Sequence, residues 1–214
     1  MIARLVLLAA SLLIGGCVET RFESTPGSVI ESCDERWKGL WLDVSEKAPI
    51  DGADVAFLVD ESCRLQWLER PEKNGPVKAV HIPINFVRDG AHDYVVVADN
   101  QISAVVDLPK VHGVDPQPAK SFLIARYRLR DDRLEIDAID SRRVARLVVD
   151  NVLDGSVDSR RNELHVYVRG DRARILEILR TQPVFSDQPS ARLERSTLTL
   201  EQYEREYLHA GKRK

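Results

Sequence analysis

Apolar and polar residues alternate with a period of two over much of this chain, the pattern of strands with one buried face. The clearest case is residues 77–87. There Val80, Ile82, Ile84 and Phe86 share one face, and His81, Pro83 and Asn85 take the other. Pro83 has no N–H for a ladder hydrogen bond, so an edge or a bulge is expected at that point. Residues 122–129 and 134–139 alternate in the same way. The polar link Arg130-Asp131-Asp132-Arg133 between them predicts a hairpin. Further strands are expected over residues 39–44, 54–59, 64–69, 94–98, 102–108, 164–168 and 191–195.

The period changes to that of a helix only late in the chain. Residues 141–153 place Val144, Leu147, Val148 and Val152 on one stripe, with Ser141 as the cap and Gly155 as the stop. Asp171 opens a second helix through Ile175, Leu176 and Leu179, ending before Pro183. Thr199 and Gln202 have capping-box spacing, and Leu200, Tyr203, Tyr207 and Leu208 give a third helix its apolar side. Many short strands with few helices imply a mainly β fold. The expectation is an antiparallel β-barrel or a strongly curled sheet with two or three peripheral helices.

The amino-terminal residues follow neither period. Arg4 is the sole charge of the first sixteen residues, residues 5–14 are apolar apart from Ser11, and Gly15, Gly16 and Cys17 follow. A charged start, a short apolar run and small exit residues describe a secretory signal. The run is far shorter than the roughly 20 residues a membrane span needs. Leu13-Ile14-Gly15-Gly16-Cys17 resembles the lipobox of bacterial lipoproteins. That resemblance implies cleavage after residue 16, diacylglycerol on the Cys17 thiol and an acylated new amino terminus. Two or more chains give stable anchoring where a single one is marginal. Val18, rather than Asp, after Cys17 implies the outer membrane facing the periplasm, by the sorting rule of that family in enteric bacteria. The inner membrane and the cell surface stay open. Residues 17–32 are polar, with Pro26 and Gly27, and read as a lipidated tether. Residues 33–214 read as a single β-rich domain with a C-terminal helix.

Composition narrows the partners. The chain has 31 basic and 34 acidic side chains. A mildly acidic, mixed surface gives no electrostatic reason to expect nucleic acid. Cys33 and Cys63 are the pair left once Cys17 carries lipid. In an oxidising compartment they predict a disulfide, worth roughly 3–4 kcal/mol for a loop of about 30 residues. Neither lies in a CxxC spacing or beside a histidine, so zinc and redox chemistry are not indicated.

No motif of a known catalytic site is present: no Gly-X-Ser-X-Gly elbow, no phosphate-binding P-loop, no Gly-X-Gly-X-X-Gly, no His-Glu-X-X-His. No catalytic residue, metal ligand or cofactor is therefore assigned. His92-Asp93 reads as a solvated turn, and His81 and His165 as exposed strand positions. Asp131-Asp132 serves turn geometry. Arg142-Arg143-X-X-Arg146 is a solvated helix face or a contact for anionic headgroups, and Trp37, Trp41 and Trp67 are expected in the core. Gly39-Leu40-Trp41 resembles the Gly-X-Trp at the first strand of lipocalin-type barrels. That implies an arginine from a late strand over the tryptophan ring, Arg195 by position. The helix over 141–153 departs from the lipocalin layout. Residues 122–139 followed by Val144-Ala145-Arg146-Leu147 also resemble a group of bacterial lipoproteins. The expected role is a non-enzymatic, membrane-anchored envelope protein that binds an apolar ligand or lipid in its barrel. The alternative is an envelope assembly or interaction protein without a small-molecule ligand, and an enzyme is the third reading.

Overall fold

The structure is a computed structural model, and it describes residues 18–44, 56–69, 78–102, 121–160 and 163–205. Twelve strands form one sheet: β1 (Val18–Phe22), β2 (Gly39–Asp43), β3 (Ala56–Val59), β4 (Leu65–Glu69), β5 (Lys78–Ile82), β6 (Asn85–Arg88), β7 (Asp93–Ala98), β8 (Phe122–Arg130), β9 (Arg133–Asp137), β10 (Gly155–Arg160), β11 (Glu163–Val168) and β12 (Ala191–Ser196). The helices are α1 (Asp99–Ile102), α2 (Ser141–Val149), α3 (Arg172–Thr181) and α4 (Leu200–Tyr203), with a 3-10 turn at Glu35–Trp37.

The fold is mainly β, and the sheet is strongly curled. Antiparallel neighbours run β8-β9-β12-β2-β3-β4-β5, while β6 pairs with β7 and β7 with β8. β5 and β6 are successive pieces of one segment, so the two ends of the curl meet on it. Pro83 and Ile84 separate them, and the hydrogen-bonded ladder is interrupted there. The expected single strand over 77–87 is thus two strands about a proline corner. Its apolar face survives the break, since Val80, Ile82, Ile84 and Phe86 all pack into the same interior cluster.

β7 and β8 are buried on both faces. Val95, Val97, Leu123, Ala125 and Tyr127 point into the curl, while Tyr94, Val96, Phe122 and Ile124 point outward beneath α2 and α3. This explains why Tyr94-Val95-Val96-Val97-Ala98 is apolar throughout rather than alternating. On the far side, Leu40, Ala56 and Leu68 face outward and are covered by Tyr203 of α4. The Thr199–Gln202 capping box forms in both directions, while Tyr207 and Leu208 lie outside the described residues.

Four local readings need correction. Residues 18–32 do not form a tether. Val18–Phe22 is a buried strand, parallel to β11 over five residue pairs and touching β8 at Phe22–Phe122. The sheet therefore already includes Val18–Phe22, before residue 33. α2 is capped by Asp140, whose side chain accepts from Arg143 N, and it ends at Val149 with Asn151 at positive φ. Gly155 is accordingly not the stop; it starts β10, and Val152 is 46% exposed rather than on the buried stripe. β10 has no alternating apolar face because it is an edge strand, paired with β11 alone. Finally, Ile102 closes a short helix instead of opening a strand, and residues 103–108 lie outside the described residues.

Candidate functional site

One end of the curl is closed by the 3-10 turn. Asp34 caps it, accepting from Arg36 N at 3.1 Å. Trp37 then plugs the interior, edge-on to Tyr127 (5.0 Å between centroids) and to Phe86 (5.3 Å). Asp34 itself is buried, yet it accepts from Tyr127 Oη at 2.7 Å and pairs with Arg36 at 2.7 Å and Arg88 at 2.8 Å. Burial raises its proton affinity, but the hydrogen bonds donated by Arg36 and Tyr127 outweigh it and hold the carboxyl below the usual range. Burial, together with Asp34, pushes the Tyr127 phenol well up.

Arg195 seals the same end from β12. Its guanidinium carbon lies 4.4 Å from the Trp41 ring centroid. Nη2 donates to the Arg36 carbonyl at 2.6 Å, Nη1 to the Lys38 carbonyl, and Nε to Asp132 at 2.9 Å. Trp41 Nε1 donates in turn to the Trp37 carbonyl at 2.7 Å. Gly39 is required at its position: its φ is +122°, and a Cβ there would stand 3.0 Å from Arg195 Nη1. The arginine expected over the tryptophan is therefore in place. Cys33 and Cys63 are joined in a disulfide, with Cα atoms 5.3 Å apart. The bridge ties the segment before the 3-10 turn to the turn between β3 and β4.

Among the described residues, the interior of the curl is packed with its own side chains. Trp37, Trp41, Phe57, Trp67, Phe86 and Tyr127 belong to one buried cluster with aliphatic residues from β3, β4, β5, β7, β8, β9 and β12. A depression of about 560 Å³ formed by described residues lies on the outer face. Arg128, Arg130, Arg133, Glu135, Arg192 and Glu194 surround it. Its arginines are largely engaged, Arg128 with Glu135 at 3.0 Å, Arg133 with Glu194 at 3.3 Å and Arg192 with Glu135 at 3.6 Å.

A second polar cluster, which sequence reading missed, lies under β1. Glu19 is 4% and Arg21 1% exposed. Glu19 Oε1 accepts from Arg21 Nη1 at 2.6 Å and lies 2.6 Å from His165 Nδ1. Arg21 Nε lies 2.7 Å from Asp99 Oδ2, which also accepts from Ser121 Oγ. His165 is thus buried and paired, not exposed as its strand pattern suggests. Two carboxylates face one guanidinium and one imidazole, so each buried acid has a polar partner within the cluster. It has the residue types of acid–base chemistry, and most of its polar atoms are engaged with one another, while Arg21 Nη2 and Asp99 Oδ1 are buried without a hydrogen-bond partner among the described residues. The signal in the sequence was the alternation of Val18, Thr20 and Phe22 with Glu19 and Arg21. Two charges in five residues concealed it.

The remaining candidates stay apart. His81 is exposed on β5, and His92 is half-buried beside Tyr94. Asp131 takes positive φ at the hairpin tip, while Asp132 is committed to Arg195. Cys33, Glu35 and Cys63 cluster closely enough to hold a metal, but disulfide sulfurs are not thiolate ligands. No helix among the described residues is long and apolar enough to cross a membrane. Cys17 lies outside the described residues. Comparison with protein-family models, with curated proteins and with solved structures gives no match for this chain.

Proposed function

We propose that this chain is a lipid-anchored protein of the bacterial cell envelope with a non-enzymatic role in assembly or interaction. The lipobox-like Leu13-Ile14-Gly15-Gly16-Cys17 supports the anchor. The Cys33–Cys63 disulfide supports export to an oxidising compartment. The outer membrane facing the periplasm is the proposed location, on the strength of Val18 after the lipidated cysteine.

The filled interior carries the choice of role. A carrier of apolar molecules needs a cavity that buries most of its ligand. Here three tryptophans occupy the space such a ligand would take. The second reading, a lipocalin-like binder, draws on Gly39, Trp41 and Arg195, whose contacts match the geometry that the Gly-X-Trp resemblance implies.

Native mass spectrometry of the protein extracted from its own membranes separates the two. A co-purifying protein at fixed stoichiometry supports the interaction role, and a small apolar molecule in the same position overturns it. Cys17→Ser is expected to leave uncleaved precursor or to release the protein from membranes. Normal mass, cleavage and membrane fractionation of that variant would defeat the anchor.

A further inference from the structure

β1 starts at Val18, one residue after Cys17. One extended residue spans no more than about 3.6 Å. A lipid on Cys17 consequently has no slack, and the part of the domain around Val18 must lie at the bilayer surface. Val18 stands opposite Leu164 of β11, and Leu164 opposite Ser159 of β10. Thr20 Oγ1 donates to Ser141 Oγ at 2.8 Å, which sets the first turn of α2 beside β1.

The charge on that turn is uneven. Arg143 is fully occupied, by Asp140, by Asp187 and by the carbonyls of Pro183 and Phe185. Arg142 and Arg146 lie one turn apart on the exposed face of α2, opposite buried Val144 and Val148. Neither has a carboxylate partner among the described residues. Exposed guanidinium groups without acids, beside a membrane attachment point, suit an anionic surface. Screening limits such attraction to about 8 Å at physiological salt. A domain on a long tether would escape it; a domain that starts at Val18 does not.

We propose that the surface around Val18 and the start of α2 is apposed to the bilayer, with Arg142 and Arg146 on anionic lipid headgroups. This rests on acylation of Cys17 as read above. The surface also implies an orientation: β3 is four strands from β8 by way of β9, β12 and β2, and five by way of β7, β6, β5 and β4, so the β3–β4 turn belongs to the opposite side of the curl.

The test uses the full lipidated protein in vesicles carrying brominated acyl chains, which quench nearby tryptophan. The native tryptophans are buried, so their background is constant. Ser159→Trp and Ser62→Trp place reporters beside Val18 and in the β3–β4 turn. Quenching at 159 is expected to exceed that at 62 severalfold. It should be stronger in phosphatidylethanolamine–phosphatidylglycerol vesicles than in phosphatidylcholine, and Arg142→Glu with Arg146→Glu should remove the difference. Equal quenching at 159 and 62 in lipidated protein overturns the apposition while leaving the anchor intact. Quenching indifferent to phosphatidylglycerol and to the arginines overturns the headgroup contact. A mass showing unmodified Cys17 defeats the anchor, and this proposal with it. Circular dichroism of each variant against the parent distinguishes lost contact from lost fold.

Discussion

The Arg195 guanidinium covers the Trp41 ring at 4.4 Å and bonds the carbonyls on either side of Trp37, so one side chain of the last strand locks the first turn of the curl. The ring contact contributes about 0.5–2 kcal/mol, and the two carbonyls would be left unpaired without it. Arg195→Leu is expected to cost about 2–3 kcal/mol in urea unfolding followed by tryptophan emission. Arg195→Lys should recover only part, because one ammonium cannot stack and bridge two carbonyls at once. Full recovery by lysine would show that charge alone matters there.

Asp34 makes stability depend on acid. Its folded-state proton affinity lies below that of an unfolded aspartate, about 3.9. Its contribution is therefore complete above that pH and is lost as pH falls through the lower, folded value. Asp34→Asn is expected to lower stability at neutral pH by about 2–3 kcal/mol and to flatten the acid limb of the stability profile. An acid limb of unchanged slope in the variant would assign the effect to other carboxylates.

The Cys33–Cys63 bridge should be found by non-reducing peptide mapping, and two alkylatable thiols would refute it. Replacing both cysteines with serine is expected to cost roughly 3–4 kcal/mol in the chain-entropy account, read as a lower midpoint in urea. The loss should be matched by adding reductant to the parent protein.

Arg21 holds two buried carboxylates, Glu19 and Asp99. Arg21→Met leaves both without their cation, at roughly 3–5 kcal/mol. Adding Glu19→Gln and Asp99→Asn to it should restore most of that stability, since the uncompensated charge, not the lost side chain, is the main penalty. Thermal unfolding of the single and triple variants measures the difference. A triple variant no more stable than the single would mean that Arg21 acts chiefly through packing.

Alternation told the strands apart wherever one face was apolar. The residues 122–139 hairpin, the inward face of Val80 to Phe86 and both caps at Asp171 and Thr199 were legible for that reason. β1 and β10 were not. Their polar residues are those ordinarily left in water, and only the partners at Asp99 and His165, distant in sequence, explain how Glu19 and Arg21 are buried. The role of Asp34 was equally hidden, since its partners Arg88 and Tyr127 come from β6 and β8.

Sequence alone determined the local quantities: the strand periods, the helix caps at Asp171 and Thr199, the cysteine pairing and the lipobox-like segment before Cys17. Each depends on residues close together or on residue type. Tertiary structure decided where the curl meets itself at Pro83, that aromatic side chains of the described residues pack its interior, and that Val18–Phe22 is a strand of the sheet rather than tether. Those depend on which distant side chains neutralise or displace one another, and burial of a charge is settled by its partner rather than by its own identity.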